Sequence, residues 1–165
     1  LSPRRSARGD FLRVVQRAMA RARLSPRLLE LEITEGALMS VGALDVLRAL
    51  RAMDIDIAID DFGTGYSSLS YIRNFHAERL KLDMSFVSGI GRHREDEVIT
   101  RAILSLGRAL GFQVVAEGVE TDTQLSFLRR HGCRVVQGYR FARPMPAADA
   151  HAFISQFNEG ALAHS

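Results

Sequence analysis

Apolar residues recur along this chain with two periods. Phe11, Val14, Val15, Ala18, Met19 and Ala22 fall at i, i+3, i+4, i+7, i+8 and i+11, which predicts an amphipathic helix with Asp10 placed to cap it and Ser25-Pro26 to end it. From position 29 the period becomes two. Leu29, Leu31 and Ile33 share one face and Glu30, Glu32 and Thr34 the other, the pattern of a strand. The two periods then alternate. A helix is predicted over 41–53, then a strand over 55–60 with Ile55, Ile57 and Ile59 opposite Asp56, Ala58 and Asp60. Gly63 and Gly65 mark a loop that leads into a short helix over 67–73. A strand over 79–83 sets Leu80 and Leu82 against Lys81 and Asp83. A helix over 95–110 carries Ile99, Ile103, Leu106 and Leu110 on its stripe, with Gly111 placed to stop it. A strand over 112–117 follows. Thr121 and Gln124 form a capping-box pattern for a helix that stops at Gly132. A strand over 134–138 and a last helix over 147–157, entered through Pro144 and Pro146, complete the series.

Strands separated by helices predict βαβ units and a parallel sheet. Each strand has one apolar and one polar face, the polar residues gathering towards its C-terminal end. A doubly wound sheet covers both faces and reads as continuous apolar runs. A TIM-like (β/α) barrel explains the polar face, since its active sites lie on the rim where the strands end. A closed barrel takes eight strands and about 250 residues. Five strands in 165 residues are too few to close it, so the prediction is an incomplete barrel. Length predicts one domain, residues 1–160, with 161–165 as a tail.

Composition narrows the class. With 47% hydrophobic and 25% charged residues the chain has the balance of a globular domain, which excludes a disordered or collagenous chain. Cys133 is the only cysteine, so there is no internal disulfide and no cysteine metal cluster. No apolar run approaches the roughly 20 residues that span a bilayer. The first ten residues lack the apolar stretch of a signal peptide, and with the lone cysteine this predicts a cytoplasmic domain. The net charge of +3 comes from arginines spread along the chain without interleaved aromatics, a solvated surface rather than a DNA or RNA binder.

The chemistry lies at the strand ends, which carry Glu32, then Asp60 and Asp61, then Lys81 and Asp83, then Glu117, then Gln137. In a parallel barrel these ends share one rim. Crowded carboxylates do not all stay ionised unless a cation sits between them. Hard oxygen donors without histidine or cysteine point to Mg²⁺ or Mn²⁺. Two such ions form the clamp of in-line phosphoester hydrolysis, although the spacing leaves one ion or two open. Each group also has a plain structural use: a glycine turn after Asp60-Asp61, helix-dipole complementation by Glu117, a Lys81–Asp83 ion pair, backbone satisfaction by Gln137. Their coincidence at equivalent positions of successive units favours a site.

Glu32-Ile33-Thr34-Glu35, Asp60-Asp61-Phe62-Gly63-Thr64-Gly65-Tyr66-Ser67-Ser68-Leu69, Lys81-Leu82-Asp83, Ala116-Glu117-Gly118-Val119-Glu120-Thr121 and Gln137-Gly138-Tyr139 occur in order. This set resembles the EAL-domain cyclic di-GMP phosphodiesterases of bacteria, from the first residues to about Phe157. The resemblance implies a two-metal site that linearises cyclic di-GMP to pGpG. By motif it makes Glu32, Asp60 and Asp61 metal ligands, with Asp60 the bridge. It makes Lys81 the group that holds the attacking water and offsets negative charge, and Glu117 the general base or water-orienting carboxylate. Asp83 joins the same polar cluster, Glu120, Gln137 and Thr64 support the site, and Glu35 braces the loop from Phe62 to Ser68. It further implies a homodimer fused to upstream sensor or GGDEF-type domains, in a parent that is anchored in the inner membrane in some arrangements.

The chain also departs from the family pattern. No Glu-Ala-Leu occurs in it, nor the arginine that follows that motif, nor the asparagine of an Asn-Leu-Ser strand end, and Gly36 stands where the family often has serine. The resemblance thus implies a TIM-like barrel lacking roughly its first three strands, and the expectation is a fragment of an active domain, inactive by itself. The alternative is a catalytically silent EAL-like module that binds cyclic di-GMP or a partner protein.

Overall fold

The computed structural model describes residues 3–38, 40, 42–64 and 77–162. The short helix expected over 67–73 lies outside the described residues. Among the described residues five strands make one sheet: β1 (Glu30–Thr34), β2 (Asp56–Phe62), β3 (Arg79–Leu82), β4 (Gln113–Ala116) and β5 (Val135–Val136). Every neighbouring pair is parallel, and the strands lie side by side in the order in which they occur in the chain. A doubly wound sheet would reverse that order at a switch point. Sequential order is the winding of a (β/α) barrel, here incomplete at five strands.

Among the described residues the helices are α1 (Pro3–Ala22), α2 (Glu35–Leu38), α3 (Ala43–Arg51), α4 (Met84–Ser88), α5 (Arg94–Ala109), α6 (Asp122–Arg130) and α7 (Ala147–Leu162), with a 3₁₀ turn over Pro26–Leu28. The core lies between sheet and helices. Ile55, Ile57, Ile59, Leu80 and Leu82 from the strands and Leu50, Val87 and Leu128 from the helices are buried almost completely. Each such side chain contributes about 1.5–3 kcal/mol. The opposite face of the sheet is polar from its first layer. Arg79 Nη1 donates to Glu30 Oε2 at 2.6 Å and Arg79 Nε to Gln113 Oε1 at 2.8 Å, a band across β1, β3 and β4 near their starts. Cys133 is buried, its Sγ donating to the Val135 carbonyl at 3.2 Å, and burial pushes its thiol pKa up.

Several boundaries differ from the periodicity. α1 spans Pro3–Ala22, so Asp10 lies inside the helix and pairs with Arg13 three residues on instead of capping. A helix already formed before residue 10 leaves no free N–H groups there for a cap to satisfy. The buried side of α1 is rotated from the expected stripe: Val15 is buried and Leu12 and Met19 pack on the core, while Phe11 and Val14 are exposed. α5 is rotated in the same way. Ile99 is 39% exposed, whereas Thr100, Ile103, Leu104 and Gly107 are buried. A helix carries more apolar positions than its neighbours can cover, and docking decides which are used. The helix expected over 41–53 is shorter, with Gly42 at its N-cap. α7 runs to Leu162, so the boundary expected at 160/161 falls inside a helix. The Thr121–Gln124 capping box forms as read, both reciprocal hydrogen bonds being present.

Candidate active site

Asp60 and Asp61 occupy an irregular step of the sheet. Ile59 pairs with Leu80 and Phe62 with Leu82, so three steps along β2 match two along β3. That mismatch is a β-bulge, a device that bends a strand and re-aims its side chains. Ile59 and Phe62 both sit in the core, and the two aspartates lie between them on the other side. Asp61 takes the left-handed conformation, φ +54°. A non-glycine residue there costs on the order of 1 kcal/mol and has to be held by its surroundings. The hold is visible: the N–H and hydroxyl of Thr64 both donate to the Asp61 carbonyl, at 3.3 and 2.8 Å, and the Asp61 N–H donates to Asp60 Oδ1 at 3.1 Å.

Opposite the bulge stands Lys81, on β3. Its ammonium lies 2.8 Å from Glu32 Oε1, 2.9 Å from Asp60 Oδ1 and 2.8 Å from Glu117 Oε1. Three carboxylates from β1, β2 and the end of β4 therefore close on one cation, at the C-terminal rim of four adjacent strands. The Lys81 side chain is 10% exposed and Glu32 is half exposed, so the cluster is open on the β1 side. Burial alone would lower the Lys81 pKa, but the hydrogen bonds of Glu117, Glu32 and Asp60 outweigh it and hold the ammonium well above its usual value. The cation that the crowded carboxylates require is supplied by the chain.

The remaining sequence candidates divide. Asp83 does not pair with Lys81; its carboxylate caps α4, accepting from the Ser85 N–H at 3.0 Å and from the Ser85 hydroxyl at 2.5 Å. Glu35 is buried and its Oε2 accepts from the Gly63 N–H at 3.1 Å, tying the start of α2 to the residue after the bulge. Glu120 and Gln137 are exposed and line a groove of about 440 Å³ beside Glu117, together with Met84, Tyr139 and Arg143. Arg143 lies 4.7 Å over the Tyr139 ring.

Two supports of the loop after Glu117 stand outside the candidate residues: a contact at Gly138, unseen in the sequence, and Gln124, read there only as a capping-box residue. A Cβ at Gly138 would come within 2.2 Å of the Val119 carbonyl oxygen and 2.3 Å of its nitrogen. The chain after β5 thus presses on the backbone of the Glu117–Glu120 loop, where the Val119 N–H donates to Gln137 O at 3.0 Å. Gln124 Oε1 accepts from both Glu120 and Thr121 N–H groups, at 2.8 and 2.9 Å, and fixes the far end of that loop. The glycine in Gln137-Gly138-Tyr139 was the available signal for the first.

The donor chemistry fits a hard divalent cation: Glu32, Asp60 and Asp61 bring carboxylate oxygens to adjacent strand ends without nitrogen or sulfur ligands. Among the described residues no three His, Cys, Asp or Glu side chains surround a common metal position. The convergent carboxylates surround Lys81 Nζ. Among the described residues, too, no helix is long and apolar enough to cross a membrane.

Comparison with known proteins gives a consistent picture. The family model described as EAL domain matches residues 1–144. A cyclic di-GMP phosphodiesterase of Pseudomonas aeruginosa, NbdA, is 43% identical over 152 residues, covering 91% of this chain and 19% of its own length. The bifunctional diguanylate cyclase/cyclic di-GMP phosphodiesterase MucR of the same organism is 42% identical over 157 residues, covering 94% of this chain and 23% of its own. The chain thus spans about a fifth of the length of these curated relatives. A solved structure of the PaMucR phosphodiesterase in complex with cyclic di-GMP superposes with a TM-score of 0.81 at 44% identity, over 84% of this chain and 57% of that one. A manganese and cyclic di-GMP complex of Klebsiella pneumoniae BlrP1 gives a TM-score of 0.75 at 34% identity, over 82% of this chain and 35% of the other.

Proposed function

The chain belongs to the EAL-domain family, and on that premise we propose that it forms part of a divalent-metal-dependent phosphodiesterase that hydrolyses cyclic di-GMP to linear pGpG. The observation that carries this reading is the Lys81 ammonium held within 2.9 Å of Glu32, Asp60 and Glu117 on the strand-end rim. Its relatives NbdA and MucR are named for that activity, and solved relatives were captured with the cyclic dinucleotide.

Glu32, Asp60 and Asp61 would hold Mg²⁺ or Mn²⁺, and a bound ion of this kind supplies charge neutralisation and a more acidic water. The residues themselves do the following. Lys81 stays charged at every physiological pH, so it offers a fixed donor to the attacking water and a positive field for the phosphoryl oxygens as charge builds. Glu117 accepts from Lys81 on the same rim and is placed to orient water and take its proton. Asp61, fixed in its left-handed turn, keeps its carboxylate outside the Lys81 cluster. Glu120, Gln137, Thr64 and Asp83 support this arrangement from the groove wall, the bulge and the start of α4. Glu35 holds Gly63 and with it the exit of the bulge.

Cyclic di-GMP is the proposed ligand, in the cytoplasm, within a longer homodimeric protein that carries sensor or GGDEF-type domains; the bifunctional naming of MucR supports such a fusion. The second reading is a catalytically silent module that binds the nucleotide or a protein. Conversion of cyclic di-GMP to pGpG by a complete domain containing this chain, with and without Mn²⁺, separates the two. Nucleotide binding without turnover under both conditions would establish the silent module.

A further inference from the structure

The opposite end of the sheet, where β4 and β5 begin, carries a second concentration of charge. Arg108 in the last turn of α5 reaches to the end of α6 and donates from Nη2 to the His131 carbonyl at 2.7 Å. It lies over Gly132, where a Cβ would stand 2.4 Å from that nitrogen, so the absence of a side chain makes room for the guanidinium. Arg129 and Arg130 in the last turn of α6, and Arg134 just before β5, complete the rim of a hollow of about 670 Å³. The His131 ring is held at its side by Nδ1, which donates to the Phe127 carbonyl at 2.8 Å.

No carboxylate lines this hollow. Between positions 123 and 148 the sequence has five arginines and no aspartate or glutamate. Several arginines elsewhere face a carboxylate, among them Arg27 with Asp54, Arg51 with Glu78, Arg79 with Glu30 and Arg140 with Asp122. Among the described residues Arg129, Arg130 and Arg134 meet no acidic partner. Basic residues in a last turn complement the helix dipole, which accounts for Arg129 and Arg130. It does not account for Arg108, which crosses from another helix, or for Arg134, which lies beyond the helix. Four guanidinium groups around one concavity, with no carboxylate among them, leave it positive, a charge that a multivalent anion would offset.

We propose that this hollow binds a ligand carrying two or more phosphate groups. Guanidinium forks match phosphate oxygens in pairs, and Arg108 is already held in place by its hydrogen bond to His131. A smaller hollow of about 160 Å³ shares Arg108, Gly132 and Arg134 and is walled by Leu104, Phe112 and Val114, apolar surface for the part of the ligand beyond its phosphates. The surface has no platform of exposed aromatics of the kind that single-stranded nucleic acid stacks on. The site is separate from the Lys81 cluster, at the other end of the same strands, and does not depend on the function proposed there.

The test is equilibrium dialysis of radiolabelled inorganic pyrophosphate against a complete domain containing this chain at physiological ionic strength, beside co-sedimentation with vesicles of phosphatidylcholine and phosphatidylglycerol. The Arg129→Gln/Arg134→Gln double variant is compared with Arg17→Gln/Arg21→Gln, which removes the same charge from the exposed face of α1. Saturable pyrophosphate binding that weakens at least about tenfold in the first variant and not in the second is expected for a soluble phosphate ligand. Vesicle binding with the same variant dependence supports the site and assigns the phosphates to lipid headgroups. Equal losses in both variants, or no saturable binding in either arm, would overturn the proposal.

Discussion

Lys81 Nζ and Asp60 Oδ1 stand 2.9 Å apart across the one irregular step between β2 and β3. The lysine shares Asp60 with Glu32 and Glu117, so one ammonium balances part of three negative charges. Replacing it with methionine keeps the bulk and leaves the carboxylates facing one another. We expect Lys81→Met to lower stability by about 2 kcal/mol, below the range for fully buried pairs because Glu32 is half exposed. In a complete domain Lys81→Ala should leave nucleotide affinity nearly intact and slow turnover strongly, since its role is realised in the transition state. Equal losses in affinity and turnover would contradict that role.

The raised pKa of Lys81 fixes the sign of a pH dependence. A cation whose folded-state pKa lies above its unfolded value of about 10.5 contributes its stability in full below that value, and loses it only as pH climbs through the higher one. The stability difference between the wild type and Lys81→Met, as far as it comes from this ionisation, should therefore be flat from pH 7 to about pH 10. Chemical denaturation at a series of pH values measures it. A difference that collapses near pH 8 would mean that the ammonium is not held as described.

Asp60→Asn keeps a hydrogen-bond acceptor for Lys81 and the Asp61 N–H but removes a charge. In a complete domain it should abolish conversion of cyclic di-GMP to pGpG while leaving the melting temperature within a few degrees. Full turnover by this variant would place the metals elsewhere.

Gly138→Ala tests the contact between the chain after β5 and the Glu117 loop. The added methyl meets Val119 backbone atoms, which cannot swing aside. A loss of about 1–3 kcal/mol is expected, as for other overpacked sites. In a domain of this size that is a fall of roughly 3–10 °C in Tm. An unchanged Tm would show that the loop yields freely.

Thr100 is fully buried on α5, and its hydroxyl finds no hydrogen-bond partner among the described residues. Thr100→Val removes an unsatisfied polar atom at almost no change in shape, and should raise stability by about 1 kcal/mol. A decrease measured by thermal melting would reveal a partner for the hydroxyl.

The alternation of Ile55, Ile57 and Ile59 and of Leu80 and Leu82 was enough to place β2 and β3 and to say which face met the helices, because burial on one side leaves a period of two. The strand-end carboxylates were legible for the same reason. The bulge was not: Asp60-Asp61 reads as the end of a strand, and only the pairing of Phe62 with Leu82 shows that the strand continues with a residue to spare. Lys81 was legible as a member of the rim but not as its centre, since a lysine two residues from Asp83 suggests a local pair, and that aspartate is instead engaged by Ser85. The rotations of α1 and α5 depend on which neighbours they dock against, which periodicity within a single helix does not record.

The bulge sets what the rim needs apart from what the packing needs. Ile59 and Phe62 stand three residues apart, an odd interval that would set them on opposite faces of a regular strand, and both reach the core only because the bulge takes up the extra residue. Deleting either aspartate would leave an interval of two, which regular alternation satisfies, and Phe62 would stay in the core opposite Leu82 with no bulge. The packing alone therefore asks for one residue at this step and not two. A descendant that no longer needs a divalent ion would be free to shorten it, because the spare residue serves the rim and not the interior.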